Sequence, residues 1–228
     1  MIPSKQQVQI CLNPESRSLV GLAKLYYTLP SEVPHKINLC AKQLDIKRVW
    51  TKQGDLKYKY PSLEQQAACL NKVLSSTKST KELMQAQMGL WEIEEQQGGL
   101  LEITLPENLE QQFAVLIEYE LTNPASGLRF FKAGTQVSVV TEDLLESKRL
   151  WMPCKDTLGT KYPLEIEIQV PSSYMAVCSG DLLRVFQEGD YKSYQYSVKT
   201  YIDSMGFVVA PIQSVIPDPT NSFVTHFT

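Results

Sequence analysis

Histidine supply limits the chemistry this chain can do. Its 228 residues include only His35 and His226. A catalytic zinc site takes three protein ligands, commonly with two His one helical turn apart, and no H-E-x-x-H occurs. A Cys–His or Ser–His nucleophile would have to draw on the same two residues, and no G-x-S-x-G elbow is present. His35 follows Pro34 at an expected strand start and reads as a surface turn residue; His226 lies in the tail. Zinc hydrolysis and nucleophilic hydrolysis are therefore not expected from these residues alone.

The thiols and phosphate cradles lead to the same place. Cys11, Cys40, Cys69, Cys154 and Cys178 are scattered, odd in number and without a C-x-x-C pair. With no apolar core in the first residues to make a signal peptide, they read as reduced, mostly buried core thiols. Lys155 beside Cys154 is a feature that can lower a thiol pKa, but a structural thiol behind the Pro153 turn is the better reading. Neither G-x-G-x-x-G nor G-x-x-x-x-G-K-[ST] appears. A net charge of −3 and a pI near 5.5 weigh against a dedicated phosphate-binding surface. Lys57-Tyr-Lys-Tyr60 and Tyr191-Lys-Ser-Tyr194 interleave basic and aromatic residues, which could serve nucleic acid. The alternation sends Tyr and Lys to opposite faces, so a core-plus-solvent strand accounts for them better. No cofactor, no metal and no catalytic residue is expected.

The elements that must position these side chains are strands. Leu101, Ile103 and Leu105 alternate with Glu102 and Thr104, and Phe113, Val115, Ile117, Tyr119 and Leu121 alternate with a face that becomes Glu118 and Glu120. So do Leu164, Ile166, Ile168 and Val170, then Tyr194, Tyr196 and Val198. Leu56, Tyr58 and Tyr60 repeat the pattern against Asp55, Lys57 and Lys59. A period of two marks a half-buried strand. Weaker candidates fall near 6–12, 18–28, 36–50, 128–141, 174–178, 182–187 and 205–213. Pro30, Pro34, Asn123-Pro124, Pro171 and Gly189-Asp190 punctuate them as turns. The expected fold is mostly β: antiparallel sheets packed as a sandwich or saddle, with no membrane-length apolar run.

Two segments depart from this pattern. From 62 to 98 there is no proline and the alternation lapses, while Leu63, Ala67, Leu70, Val73 and Leu74 keep helical spacing. Ser62 and Gln65 have the form of a capping box. The segment reads as a small helical or flexible insertion, a common place for partner contacts. After a domain over 1–214, the prolines of Ile216-Pro-Asp-Pro-Thr220 mark 215–228 as a linker without regular pairing, leading to a further domain.

Motifs taken in order resemble the N-terminal β-domain of the aminopeptidase-N-type zinc aminopeptidases. Leu19-Val-Gly21, His35-Lys-Ile-Asn-Leu39, Leu44-Asp-Ile-Lys-Arg-Val49 and Ser126-Gly-Leu-Arg-Phe130 are similar to its strand sequences. Lys148-Arg-Leu-Trp-Met-Pro-Cys-Lys-Asp156 is similar to the R-x-x-F-P-C-x-D signature. Tyr174–Asp181 and Gly206–Pro211 follow, so the resemblance is collinear over about residues 6–213. Trp151, and Thr157-Leu158 in place of the usual Glu-Pro, look more like a non-peptidase branch, the aminopeptidase-like subunit 2 of the general transcription factor TFIID.

That resemblance implies a non-catalytic scaffold in core-promoter recognition and preinitiation-complex assembly, located in the nucleus. The partners it implies are other TFIID subunits, notably subunits 1 and 8, and a TBP-containing complex. It also implies core-promoter DNA, reached through the full-length protein. The alternative is the N-terminal domain of a true zinc aminopeptidase whose catalytic domain lies outside this sequence. In peptidases a Gln or Glu upstream of the signature Cys binds the substrate amine; Glu142 lies near that place, but its surroundings depart from the peptidase pattern. Within the signature, Arg149, Trp151, Pro153, Cys154 and Asp156 are the candidate structural motif. An Arg149–Asp156 fork is expected across a turn stiffened by Pro153, with Trp151 and Cys154 facing inward.

Overall fold

A computed structural model describes residues 1–32, 34–66, 99–142, 147–157, 159–199 and 205–212, and the backbone alone at 215–217 and 225–227. Seventeen strands form four sheets among these residues. The largest has eight strands in the order β13-β14-β11-β1-β2-β8-β4-β5. Its members are β1 (Lys5–Asn13), β2 (Ser18–Thr28), β4 (Asp45–Thr51), β5 (Gly54–Asp55), β8 (Gln112–Thr122), β11 (Leu164–Pro171), β13 (Asp181–Glu188) and β14 (Tyr191–Val198). A four-stranded sheet runs β12-β15-β10-β9, from β9 (Leu128–Ala133), β10 (Gln136–Thr141), β12 (Met175–Cys178) and β15 (Phe207–Ala210). A three-stranded sheet, β3-β7-β6, joins β3 (Lys36–Cys40), β6 (Tyr58–Lys59) and β7 (Leu100–Thr104).

Alternation sets the layers. On β1 the residues Gln6, Val8, Ile10 and Leu12 are buried; on β2 they are Leu19, Gly21, Ala23, Leu25 and Tyr27. These faces join one buried cluster with Ile37 and Leu39 of the three-stranded sheet and Val139, Ala176 and Val209 of the four-stranded one. The large sheet is thus one layer and the three- and four-stranded sheets line its inner face, the sandwich expected from the pattern. Packing is close at Gly21, paired across the strands with Tyr119. A Cβ there would come within 2.2 Å of the Tyr119 ring, so only glycine fits.

Three details differ from the strand reading. The β1–β11 pair is parallel, with Val8 opposite Ile166 and Ile10 opposite Ile168, because β11 arrives from a distant part of the chain rather than through a hairpin. The Asp55–Tyr60 run is not one strand: Gly54–Asp55 closes the large sheet, and Tyr58–Lys59 pairs with Ile103 and Glu102 of β7. The chain changes sheets between them, leaving Tyr58 exposed. At the C-terminal end, β16 (Val215–Pro217) pairs with β17 (Thr225–Phe227), a regular pairing not expected for the proline-rich stretch. Both strands of this two-stranded sheet are edges, where the missing N–H of Pro217 is tolerated.

The insertion expected over 62–98 falls mostly outside the described residues. Its start is visible: 63–66 is helical, Ser62 N–H donates to Gln65 Oε1 at 2.9 Å, and Gln65 N–H donates to Ser62 Oγ at 3.2 Å. That reciprocal pair is a capping box.

Candidate functional site

The signature residues form a turn held at the junction of the sheets. A single turn of 3-10 helix, Ser147–Leu150, delivers the chain to Trp151. Trp151 N–H and Met152 N–H both bond back to Lys148 O. Trp151 is fully buried and meets Phe207 edge-on, with ring centroids 5.2 Å apart. Cys154 and Cys40 exchange both backbone hydrogen bonds, at 2.8 and 3.0 Å, which ties the turn to β3. Arg149 O accepts from Lys42 N–H at 2.8 Å. Pro153, itself buried, offers its carbonyl to Gln6 Nε2 at 2.9 Å.

Asp156 is 5% exposed and closes the turn. Its Oδ2 accepts from Arg149 N–H at 3.1 Å, and the Arg149 guanidinium donates through Nη2 to Asp156 O. Arg149 Nε lies 3.5 Å from Oδ2 and Lys148 Nζ 3.6 Å from Oδ1. The expected two-toothed fork onto the carboxylate is therefore not formed. Arg149 spans carboxylate and backbone instead, and Lys148 supplies the second cation. Burial pushes the Asp156 carboxyl above its ordinary range, against the pull of Lys148 and of the Arg149 N–H and guanidinium. Burial also drives the Cys154 thiol well up, so it is a packed thiol rather than a nucleophile.

Glu142, the residue at the amine-binding place in peptidases, is engaged on both oxygens. Oε2 accepts from Gly127 N–H and Oε1 from Arg129 Nε, each at 2.7 Å. These bonds hold its carboxyl below the usual range, and they leave it stapling the start of β9 to the end of β10. His35 is exposed. Among the described residues no group of three His, Cys, Asp or Glu side chains could hold a metal ion. Cys11 is half-exposed while Cys40, Cys154 and Cys178 are buried; all four are free, and Cys69 lies outside the described residues.

Two residues that support the turn escaped sequence reasoning. Gln6 is buried, and besides Pro153 it accepts from Tyr162 Oη at 3.0 Å. Tyr162 Oη in turn accepts from Lys155 N–H at 3.0 Å. Gln43, at φ 56°, donates to Leu150 O and Ser126 O and accepts from Ala125 N–H. A signal existed for Gln6: it shares a strand face with Val8, Ile10 and Leu12, an apolar row that a lone amide joins only with partners.

No known family profile matches the chain. A search of curated proteins finds TFIID subunit 2 of Drosophila melanogaster, 30% identical over 93% of this chain. The chain is similar to TFIID subunit 2 over nearly its whole length. It spans 19% of that fly protein's length. Among solved structures it is similar to an M1 zinc metallopeptidase from Deinococcus radiodurans (TM-score 0.67, 14% identity, 99% of this chain and 46% of that one). It is equally similar to yeast LTA4 hydrolase (TM-score 0.68, 14% identity, 96% of this chain and 30% of that one). At such identity the likeness is one of fold: this β-domain has the architecture found in those two structures.

Proposed function

We propose that this chain is a non-catalytic scaffold and interaction domain of a TFIID subunit 2-like transcription factor. It acts in core-promoter recognition and assembly of the RNA polymerase II preinitiation complex, in the nucleus. Its partners are other TFIID subunits, among them subunits 1 and 8, within a TBP-containing complex, and core-promoter DNA is met by the full-length protein. The 30% identity to the fly subunit over nearly the whole chain carries this reading. The signature turn supports it, since Asp156, Arg149 and Lys148 are engaged with one another in holding the turn.

The M1-type fold favours a second reading, the N-terminal domain of a true zinc aminopeptidase. Affinity capture of the tagged full-length protein from nuclear extract separates the two. The first reading expects TBP and several TBP-associated factors in near-stoichiometric amounts. Recovery of the protein alone, carrying zinc and hydrolysing an aminoacyl-nitroanilide, would overturn it.

A further inference from the structure

The outer face of the eight-stranded sheet carries an open cavity of about 650 Å³. Its floor is Ala114 and Leu116, which share the outer face of β8. Register places Tyr26 beside Ala114, and sets Lys24 and Trp50 on either side of Leu116. Tyr26 and Trp50 stand on the two strands that flank β8, so the walls are two strand spacings apart, roughly 9–10 Å. That is a slot the width of one extended peptide.

Both aromatic walls are fixed in advance. Tyr26 Oη donates to Gln7 Oε1, Gln7 Nε2 donates to Glu165 at 2.7 Å, and Glu165 holds Lys5 at 2.7 Å. Trp50 lies under the Arg48 guanidinium, 4.8 Å from the ring centroid, and Arg48 is anchored by Asp55 at 2.7 Å. Lys24 rests 4.9 Å from the Tyr26 ring centroid, and Lys52 lines the end of the slot. Neither ammonium has a carboxylate partner among the described residues. Against these two cations the lining has one acidic residue, the exposed Glu110.

We infer that this slot binds an extended acidic peptide segment of another protein, with apolar side chains at alternate positions. The apolar residues would sit on Ala114 and Leu116 between the rings, and the carboxylates would meet Lys24 and Lys52. Complementarity of charge selects this occupant. A nucleic-acid backbone suits the slot less well, because its lining holds only two cations, few for the run of phosphates that a strand presents. The inference does not rest on the transcription reading.

Fluorescence anisotropy of a labelled peptide alternating Asp or Glu with Phe or Leu tests it on the full chain. Saturable one-site binding is expected, weakened about tenfold or more by Lys24→Glu with Lys52→Glu, and likewise by Ala114→Phe, which fills the floor. Lys132→Glu, on the edge strand of the four-stranded sheet, is expected to change it less than about twofold. Unfolding midpoints of each variant establish that the fold is kept. No saturable binding overturns the inference, as does binding indifferent to both slot variants. Tighter binding of an oligothymidylate probe, competed by the peptide, would assign the slot to nucleic acid instead.

Discussion

The signature turn and the β8 slot both set cations against acceptors or rings, but one is sealed and the other open. At the turn, Asp156 is 5% exposed and its neighbours Lys148 and Arg149 have side chains only 13% and 15% exposed. At the slot, the Arg48 side chain is 54% exposed and its partner Asp55 67%. Burial raises the cost of leaving any partner unpaired, so the sealed cluster acts on the fold. Screened charges add little stability, which leaves the open groups free to be spent on a ligand. Substitutions at the two places should therefore separate stability from binding.

The largest effect is expected from Trp151→Ala, which empties a fully buried site against Phe207. Urea denaturation should show a loss of about 3–5 kcal/mol. A loss below about 1 kcal/mol would mean that the turn is not part of the core.

Asp156→Ala comes next, at about 2–4 kcal/mol, because two part-buried cations and the Arg149 N–H lose their acceptor. Asp156→Asn keeps an acceptor and should cost less. The carboxyl's folded pKa lies above its ordinary 3.8, so the folded state binds the proton more readily. Its contribution is then fully present below the unfolded pKa and is lost as pH rises through the folded one. Measured from neutral pH down towards 4, the native protein should gain stability relative to Asp156→Asn.

Glu142→Gln is expected to be smaller, about 1 kcal/mol at neutral pH. Here the sign reverses. The folded pKa lies below the ordinary 4.5, so the contribution is present above the unfolded value and fades as pH falls through the folded one. The gap between variant and native protein should close in acid. Smallest of all, Lys24→Glu with Lys52→Glu should leave the unfolding free energy within about 0.5 kcal/mol.

The buried faces of β7, β8 and β11 were readable from period-two alternation, because burial on each of these strands alternates residue by residue. The capping box at Ser62 and Gln65 was readable too, since it is a local contact of side chain with backbone. The parallel β1–β11 pair was not, because pairing partners far apart in sequence leave no local trace. At the turn, proximity of Arg149 and Asp156 in sequence suggested an ion pair, but which atoms meet depends on the helical turn before Trp151. Lys148 at Asp156, and Gln6 reaching Pro153 from β1, depend on tertiary packing. The slot was hidden for the same reason: Tyr26, Trp50 and Ala114 become neighbours only when β2 and β4 flank β8.

The most direct test of this division is one experiment on Asp156→Ala with two readouts, urea denaturation and acidic-peptide titration under native conditions. A clear loss of unfolding free energy is expected, with peptide affinity within about twofold of the native protein's while the variant remains folded. Lost binding in a variant of unchanged stability would contradict it, since the signature turn would then be a recognition site rather than a device of the fold.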